Sequence, residues 1–224
     1  MKDKQPRIVV RIEISTLSNK DGRLNSKKMD RLAMVLSNLR NSGKHLLVVT
    51  SGAIALGCEK LKMENQPETL IDMQVIAAIG QAELIKAYQN YFEEYNQIVA
   101  QVLLVSDIME NDARVENARN TFNTLLDMNI IPIINENDPV STIDIELDDN
   151  YPLALNVSNI AQADIILIKL DSNGKYMILT RGSKETIITD EYELYSTLDK
   201  VINSLDEFAD SKSEFPASID LINF

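Results

Sequence analysis

The chain has 224 residues, of which 34 are acidic and 22 basic, and its formal net charge is −12. This acidity argues against nucleic acid as the main partner, because phosphate binding needs a basic face. The composition, 45% hydrophobic and 25% charged, is typical of a soluble globular protein, and no apolar stretch is long enough to span a bilayer. The single cysteine, Cys58, excludes an internal disulfide framework and indicates a reducing, cytoplasmic location, where we expect it to be buried.

Strands and helices alternate along the chain. Short runs that are apolar on both faces predict strands at 8–14, 45–50, 98–104, 130–134 and 165–168. Apolar residues spaced three and four apart predict helices at 26–41, 71–95, 112–128, 152–161 and 191–208. A turn at 171–174 predicts a hairpin with a further strand at 175–180. The alternation predicts an α/β fold, a three-layer sandwich around a central and mostly parallel sheet, as a single domain over residues 1–224.

The predicted helix at 71–95 is the longest in the chain. Its apolar stripe contains Val75, Ile79, Ala82, Ile85, Phe92 and Tyr95. We expect this face to suit contact with a second copy, and therefore expect a homo-oligomer.

Polar residues follow the strand at 130–134. They are Asn135-Glu136-Asn137-Asp138, with Asp149-Asn150 a short distance on. Ligands in open α/β sheets bind just beyond the carboxyl ends of the strands, so this segment predicts a small polar ligand whose amino group is held by Asp138. Asn and Asp also favour turns and helix caps, and from this segment alone an Asx-rich turn is an equal alternative.

A second segment has the same character. Ser51 and Gly52 follow the strand at 45–50. A glycine here allows either a tight strand-to-helix turn or the close approach of a ligand to the backbone.

Several segments together resemble the glutamate 5-kinases of the amino-acid kinase family. The matching strings, in the family's order, are Val48-Val49-Thr50-Ser51-Gly52-Ala53-Ile54-Ala55-Leu56-Gly57, Ala77-Ala78-Ile79-Gly80-Gln81, Asn117-Ala118-Arg119-Asn120-Thr121 and Ile133-Ile134-Asn135-Glu136-Asn137-Asp138. The resemblance covers roughly residues 7 to 180. It implies transfer of the γ-phosphoryl group of ATP, with Mg²⁺, to the side-chain carboxylate of glutamate, the first step of proline biosynthesis, which proline often inhibits.

The amino-acid half of the family's site is retained. The resemblance assigns substrate contacts to Ser51 and Asn150, and it assigns the substrate's amino group to Asp138. The implied ligand is a small amino acid, glutamate or proline.

The phosphoryl half departs from the family. The family's first strand carries Lys-x-Gly-x-Ser, and the aligned stretch here is Arg11-Ile12-Glu13-Ile14-Ser15. Arg11 keeps the charge of the lysine but not its shape, and Glu13 places a carboxylate where phosphates would lie. Two such charges about 4 Å apart repel by about 4 kcal/mol at an effective dielectric constant near 20.

Further departures lie downstream. Tyr151 stands in place of an aspartate that organises the family's catalytic lysines, and Leu170-Asp171 replaces a Thr-Asp pair that binds nucleotide. Ser15 and Asp171 are therefore the remaining nucleotide-side candidates. The family's Gly-Gly-Met-x-Thr-Lys loop has no counterpart after residue 180, and we expect a shortened nucleotide-binding part and no C-terminal RNA-binding-like domain. No residue set predicts a metal site in the protein itself.

Three functions remain open from the sequence. The first is a glutamate 5-kinase-like pseudoenzyme that keeps the amino-acid site and has impaired or lost phosphotransfer. The second is an active ATP-dependent glutamate 5-kinase that uses Arg11. The third is an assembly subunit that binds no ligand.

Overall fold

The computed structural model describes residues 5–19, 21–63, 65–140, 150–183, 186–205 and 214–216. Seven strands in these ranges are β1 Arg7–Ile12, β2 His45–Thr50, β3 Val99–Leu104, β4 Ile131–Glu136, β5 Ile165–Lys169, β6 Lys175–Thr180 and β7 Ile187–Asp190. They form one sheet in the order β3-β4-β2-β1-β5-β6-β7. The first five strands are parallel, whereas β6 and β7 are added antiparallel. The mostly parallel sheet and the hairpin at 171–174 are confirmed.

The described helices are α1 Ile14–Leu17, α2 Ser26–Asn41, α3 Ala53–Leu61, α4 Leu70–Glu93, α5 Asp112–Asp127, α6 Tyr151–Ile160 and α7 Leu194–Ser204. Side chains of α2, α4 and α7 form one core with Ile8 and Val10 of β1, and side chains of α5 and α6 form a second core with Val9. Because successive strand residues face opposite sides of a sheet, helices cover both faces. The three-layer sandwich is confirmed. None of the described helices has the length and apolar character needed to cross a bilayer.

Several predicted boundaries were wrong at the ends of strands. β1 ends at Ile12, and the chain turns at Glu13 into α1, so residues 13 and 14 are not part of the strand. β4 continues to Glu136, so Asn135 and Glu136 belong to the strand instead of following it. β7 was not predicted, and α7 begins at Leu194 because β7 and a turn come before it. Residues 206–208 of the predicted helix lie outside the described ranges.

The predicted apolar stripe of α4 is buried only in part: Phe92 is buried, and Ile85 and Tyr95 pack against the core. Val75 is 56% exposed, and Ala82 is exposed. The buried residues of this helix are Ile76, Ala77, Gly80, Gln81, Leu84, Tyr88 and Phe92. The orientation of α4 depends on a backbone contact with α3, since a Cβ atom on Gly80 would lie 1.6 Å from the carbonyl oxygen of Ala53. Oligomer formation through the exposed side of α4 stays a prediction.

Candidate functional site

The residues predicted to bind an amino acid lie at the carboxyl edge of the parallel strands. Ser51 follows β2, Asp138 begins a short 3₁₀ helix after β4, and Asn150 comes directly before α6. β2 pairs with both β1 and β4, so the ends of these three strands are neighbours. The topology therefore brings the three candidate residues to one edge. Asp149 lies outside the described residues.

Ser51 and Gly52 form the turn from β2 into α3. The hydroxyl oxygen of Ser51 accepts a hydrogen bond from the backbone N–H of Ile14 at 3.4 Å. Gly52 has φ of 102°, and a Cβ atom there would lie 2.4 Å from the Cβ of Ile14. Glycine is needed at this position for its left-handed backbone and for the close approach of Ile14. The group that approaches the backbone in this structure is a protein side chain.

Asn150 links α6 to the end of β1. Its side-chain N–H donates to the carbonyl oxygen of Ile12 at 3.2 Å, and the residue is 5% exposed. The side-chain oxygen is buried and accepts no hydrogen bond within the described ranges. A buried acceptor without a donor costs about 1–3 kcal/mol, so this oxygen is suited to receive a donor from a ligand.

Asp138 is a buried carboxyl group. Burial, assisted by the nearby charge of Glu136, raises the pKa of Asp138 to about 6. Among the residues that the structure describes, no basic side chain lies within 4.0 Å of this carboxylate. A ligand ammonium group would supply the missing positive charge.

Asn135 has a structural role that sequence reasoning missed. Its side-chain N–H donates to the side-chain oxygen of Gln81 in α4 at 2.8 Å, and both side chains are buried. This bond fixes the end of β4 against α4 immediately before Asp138. The two residues are 54 positions apart, so the sequence around each of them does not predict that they pair.

Arg11, Glu13 and Tyr151 form one cluster at the end of β1. Arg11 is 2% exposed, and its terminal nitrogen Nη2 lies 2.6 Å from Oε1 of Glu13. The guanidinium carbon lies 6.0 Å from the centre of the Tyr151 ring, within cation–π range. Arg11 therefore contacts both Glu13 and Tyr151.

Ser15 and Asp171 make local contacts. Ser15 is exposed in α1, with its hydroxyl 3.5 Å from Oε2 of Glu13. One carboxylate oxygen of Asp171 accepts from the backbone N–H groups of Asn173 and Lys175 at 2.9 and 3.0 Å, an arrangement that stabilises the β5–β6 turn. The nucleotide-binding role of both residues stays a prediction.

The end of β1 is occupied by protein groups in the observed arrangement. The cation of Arg11 is already engaged by Glu13, and Ile14 fills the space against Gly52. Within the described ranges, no group of three or more His, Cys, Asp or Glu side chains is placed to hold a metal ion.

Comparisons with known proteins agree with this fold. Residues 6–184 match the model of the amino acid kinase family. The chain is 40% identical over 193 residues to the glutamate 5-kinase of Clostridium perfringens, covering 84% of this chain and 72% of that protein. It is 38% identical over 207 residues to the glutamate 5-kinase of Listeria monocytogenes serotype 4a, covering 91% of this chain and 73% of that protein.

Solved structures show the same architecture. The crystal structure of UMP kinase from Ureaplasma parvum matches with a TM-score of 0.51 at 15% identity, covering 74% of this chain and 69% of that one. At this identity the match concerns the fold alone. The family match and the extent of the sequence identity together establish that the chain belongs to the amino acid kinase family and is glutamate 5-kinase-like.

Proposed function

We propose that this chain binds glutamate at the carboxyl edge of the sheet and has weak or no phosphotransferase activity. The observation that carries the proposal is the Arg11–Glu13 ion pair at the end of β1. The carboxylate of Glu13 binds the Arg11 guanidinium, which is the cation expected to contact a transferring phosphoryl group.

The amino-acid half of the proposal rests on complementary chemistry. Asp138 offers a buried negative charge to an ammonium group, and Asn150 offers a buried oxygen that lacks a donor. Ser51 adds a hydroxyl at the neighbouring strand end. A carboxylate with hydroxyl and amide groups suits a zwitterion.

The phosphoryl half rests on charge and space. Phosphoryl transfer depends almost entirely on positioning and on stabilisation of developing negative charge. The carboxylate of Glu13 pairs with Arg11, so the pair presents no net positive charge to a phosphate. A carboxylate without such a partner would repel a phosphate charge about 4 Å away by about 4 kcal/mol at an effective dielectric constant near 20. Removal of one charge-stabilising donor commonly slows such reactions by about a hundredfold or more.

An active glutamate 5-kinase is the second candidate. The observation that favours it is the 40% identity to a protein of that name over most of this chain. In this case Arg11 would have to leave Glu13 when ATP and Mg²⁺ bind.

Calorimetry combined with a phosphotransfer assay separates the two candidates. The proposal predicts binding of glutamate, little or no binding of ATP with Mg²⁺, and no turnover above background. Asp138→Asn should abolish glutamate binding, whereas Asp127→Asn, an exposed acid at the end of α5, should not. Clear turnover by the unchanged protein would establish the active kinase. Absence of binding by both glutamate and proline would instead favour an assembly subunit without a ligand.

A gain-of-function variant tests the phosphoryl half directly. Arg11→Lys, Glu13→Gly and Tyr151→Asp, made together, restore the residues of the family motif. We expect ATP binding to appear or strengthen, with glutamate binding unchanged. If the triple variant is folded and its affinity for ATP equals that of the parent, the Arg11–Glu13 ion pair is not what prevents ATP from binding.

A further inference from the structure

A small cavity with a basic lining lies beside the β5–β6 turn, on the face of the sheet covered by α2. Its volume is about 120 Å³. Four basic side chains line it, together with a single carboxylate, that of Glu191. The basic residues are Lys27, Lys28 and Arg31 from the first turns of α2 and Lys169 from the end of β5. A local excess of positive charge is unusual in a chain whose net charge is −12.

Two polar groups in the lining are buried without a full set of partners. Lys169 is 6% exposed, and its ammonium lies 5.0 Å from the centre of the Tyr176 ring. In the described part of the chain, no carboxylate lies within 4.0 Å of this ammonium, and burial lowers the pKa of Lys169. Tyr176 is fully buried, and its hydroxyl has no hydrogen-bond partner among the described residues. Buried polar groups are normally satisfied, so their joint presence indicates a missing ligand.

The one carboxylate does not neutralise this lining. Glu191 is committed to Arg31, whose Nε lies 2.7 Å from its Oε1. Lys28 donates to the carbonyl oxygen of Ser18 at 2.5 Å, which uses one of its three N–H donors. The ammonium groups of Lys27 and Lys169 are left for a ligand.

We propose that this cavity binds one phosphate group, either free or as the terminal group of a small phosphorylated metabolite. Lysine ammonium groups favour an anion of this kind. A volume of about 120 Å³ is large enough for a tetrahedral oxyanion. None of its lining residues belongs to the amino-acid site, so this proposal stands or falls independently of the proposed function.

Calorimetric titration with inorganic phosphate tests the proposal. Chloride at matched ionic strength serves as the reference ion, because a surface charge effect would not distinguish the two. Lys169→Met keeps the volume and removes the charge, and we expect it to weaken phosphate binding by about tenfold or more. Lys27→Met should weaken it as well, and because Lys27 is exposed this variant carries little risk to folding. Circular dichroism checks that each variant is folded.

The neighbouring strand β6 offers a matched control for the lysine substitutions. Lys175 is exposed and immediately precedes Tyr176, so its side chain lies on the opposite face of β6. Lys175→Met should leave phosphate binding unchanged, and so should Asp138→Asn in the amino-acid site. Comparison of inorganic phosphate with glycerol 3-phosphate distinguishes a free ion from an esterified one. Absence of binding at millimolar phosphate, or equal affinity in the Lys169→Met, Lys27→Met and Lys175→Met proteins, would overturn the proposal.

Discussion

Asp138 shows how the burial of one carboxyl group lowers the stability of a fold. Its pKa in the folded chain is about 6, whereas an aspartate in an unfolded chain has a pKa of about 3.9. Between these values the folded protein holds more protons than the unfolded one. The free energy of unfolding should therefore fall as the pH rises from about 4 to 6, and the loss is complete above that window.

The first prediction concerns Asp138→Asn, which removes this penalty while keeping the shape of the side chain. The free energy of unfolding should rise by about 2 kcal/mol at pH 8 and by much less at pH 4. Urea denaturation at both pH values measures the difference. Asp127→Asn serves as the control. If Asp138→Asn changes the free energy of unfolding equally at both pH values, Asp138 is not the group that causes the pH dependence.

The second prediction concerns Glu13 and its ion pair. Glu13→Gln leaves the buried guanidinium of Arg11 without its carboxylate and should destabilise the chain by about 1–3 kcal/mol, since the side chain of Glu13 is 27% exposed and water partly screens the pair. Replacing both residues, Arg11→Met with Glu13→Gln, should recover most of that loss because no unpaired charge remains. A double-mutant cycle in urea measures the coupling. Additive effects of the two substitutions would contradict the pairing.

At the scale of elements, the contact between α3 and α4 positions much of the amino-acid site. A Cβ atom on Gly57 would lie 2.2 Å from the carbonyl oxygen of Ile76, and one on Gly80 would lie 1.6 Å from the carbonyl oxygen of Ala53. The two helices therefore touch through their backbones. This contact holds Ser51 at the start of α3 and Gln81 beside Asn135.

The third prediction tests this contact with Gly80→Ala. Alanine in a helix normally gains about 1 kcal/mol over glycine, but overpacking a rigid backbone costs about 1–3 kcal/mol. At 1.6 Å from a carbonyl oxygen the overlap should dominate, and the melting temperature should fall. Ala78→Ser adds one atom on the exposed side of the same helix and should have little effect. A melting temperature for Gly80→Ala at or above that of the parent would show that the helices can separate freely.

The elements also show what the sequence can predict. The strands that are apolar on both faces were located within two residues, because a buried parallel strand has no competing interpretation at that length. The stripe predicted for α4 is only partly buried, because the helix also packs on α3 through Ala77 and Gly80, which carry no large apolar side chain. β7 escaped prediction because it is four residues long, and only one of them is fully buried.

For the candidate site, the sequence located Ser51, Asp138 and Asn150 at one edge but could not supply their surroundings. The pairing of Arg11 with a nearby acid could be foreseen, since a buried charge needs a partner. The contact of Ile14 with Gly52 could not, because it depends on how the chain turns after β1. Long-range contacts of this kind leave no local pattern.

At the scale of the whole molecule, the net charge of −12 predicts a general response to salt. Self-repulsion destabilises a compact acidic chain, and added ions screen it over a Debye length of about 10 Å at 0.1 M. This fourth prediction is that sodium chloride raises the melting temperature at pH 7.5. Near the sequence pI of about 4.6 the same addition should have little effect. An equal rise at both pH values would mean that net charge is not the cause.

The cluster at the end of β1 has a consequence for how such a chain can change one residue at a time. Arg11 contacts both Glu13 and Tyr151, so a substitution of Arg11 acts on two neighbours at once, whereas a substitution of Glu13 or Tyr151 removes one contact. The effects of changes at these three positions on the free energy of unfolding are therefore expected to be non-additive.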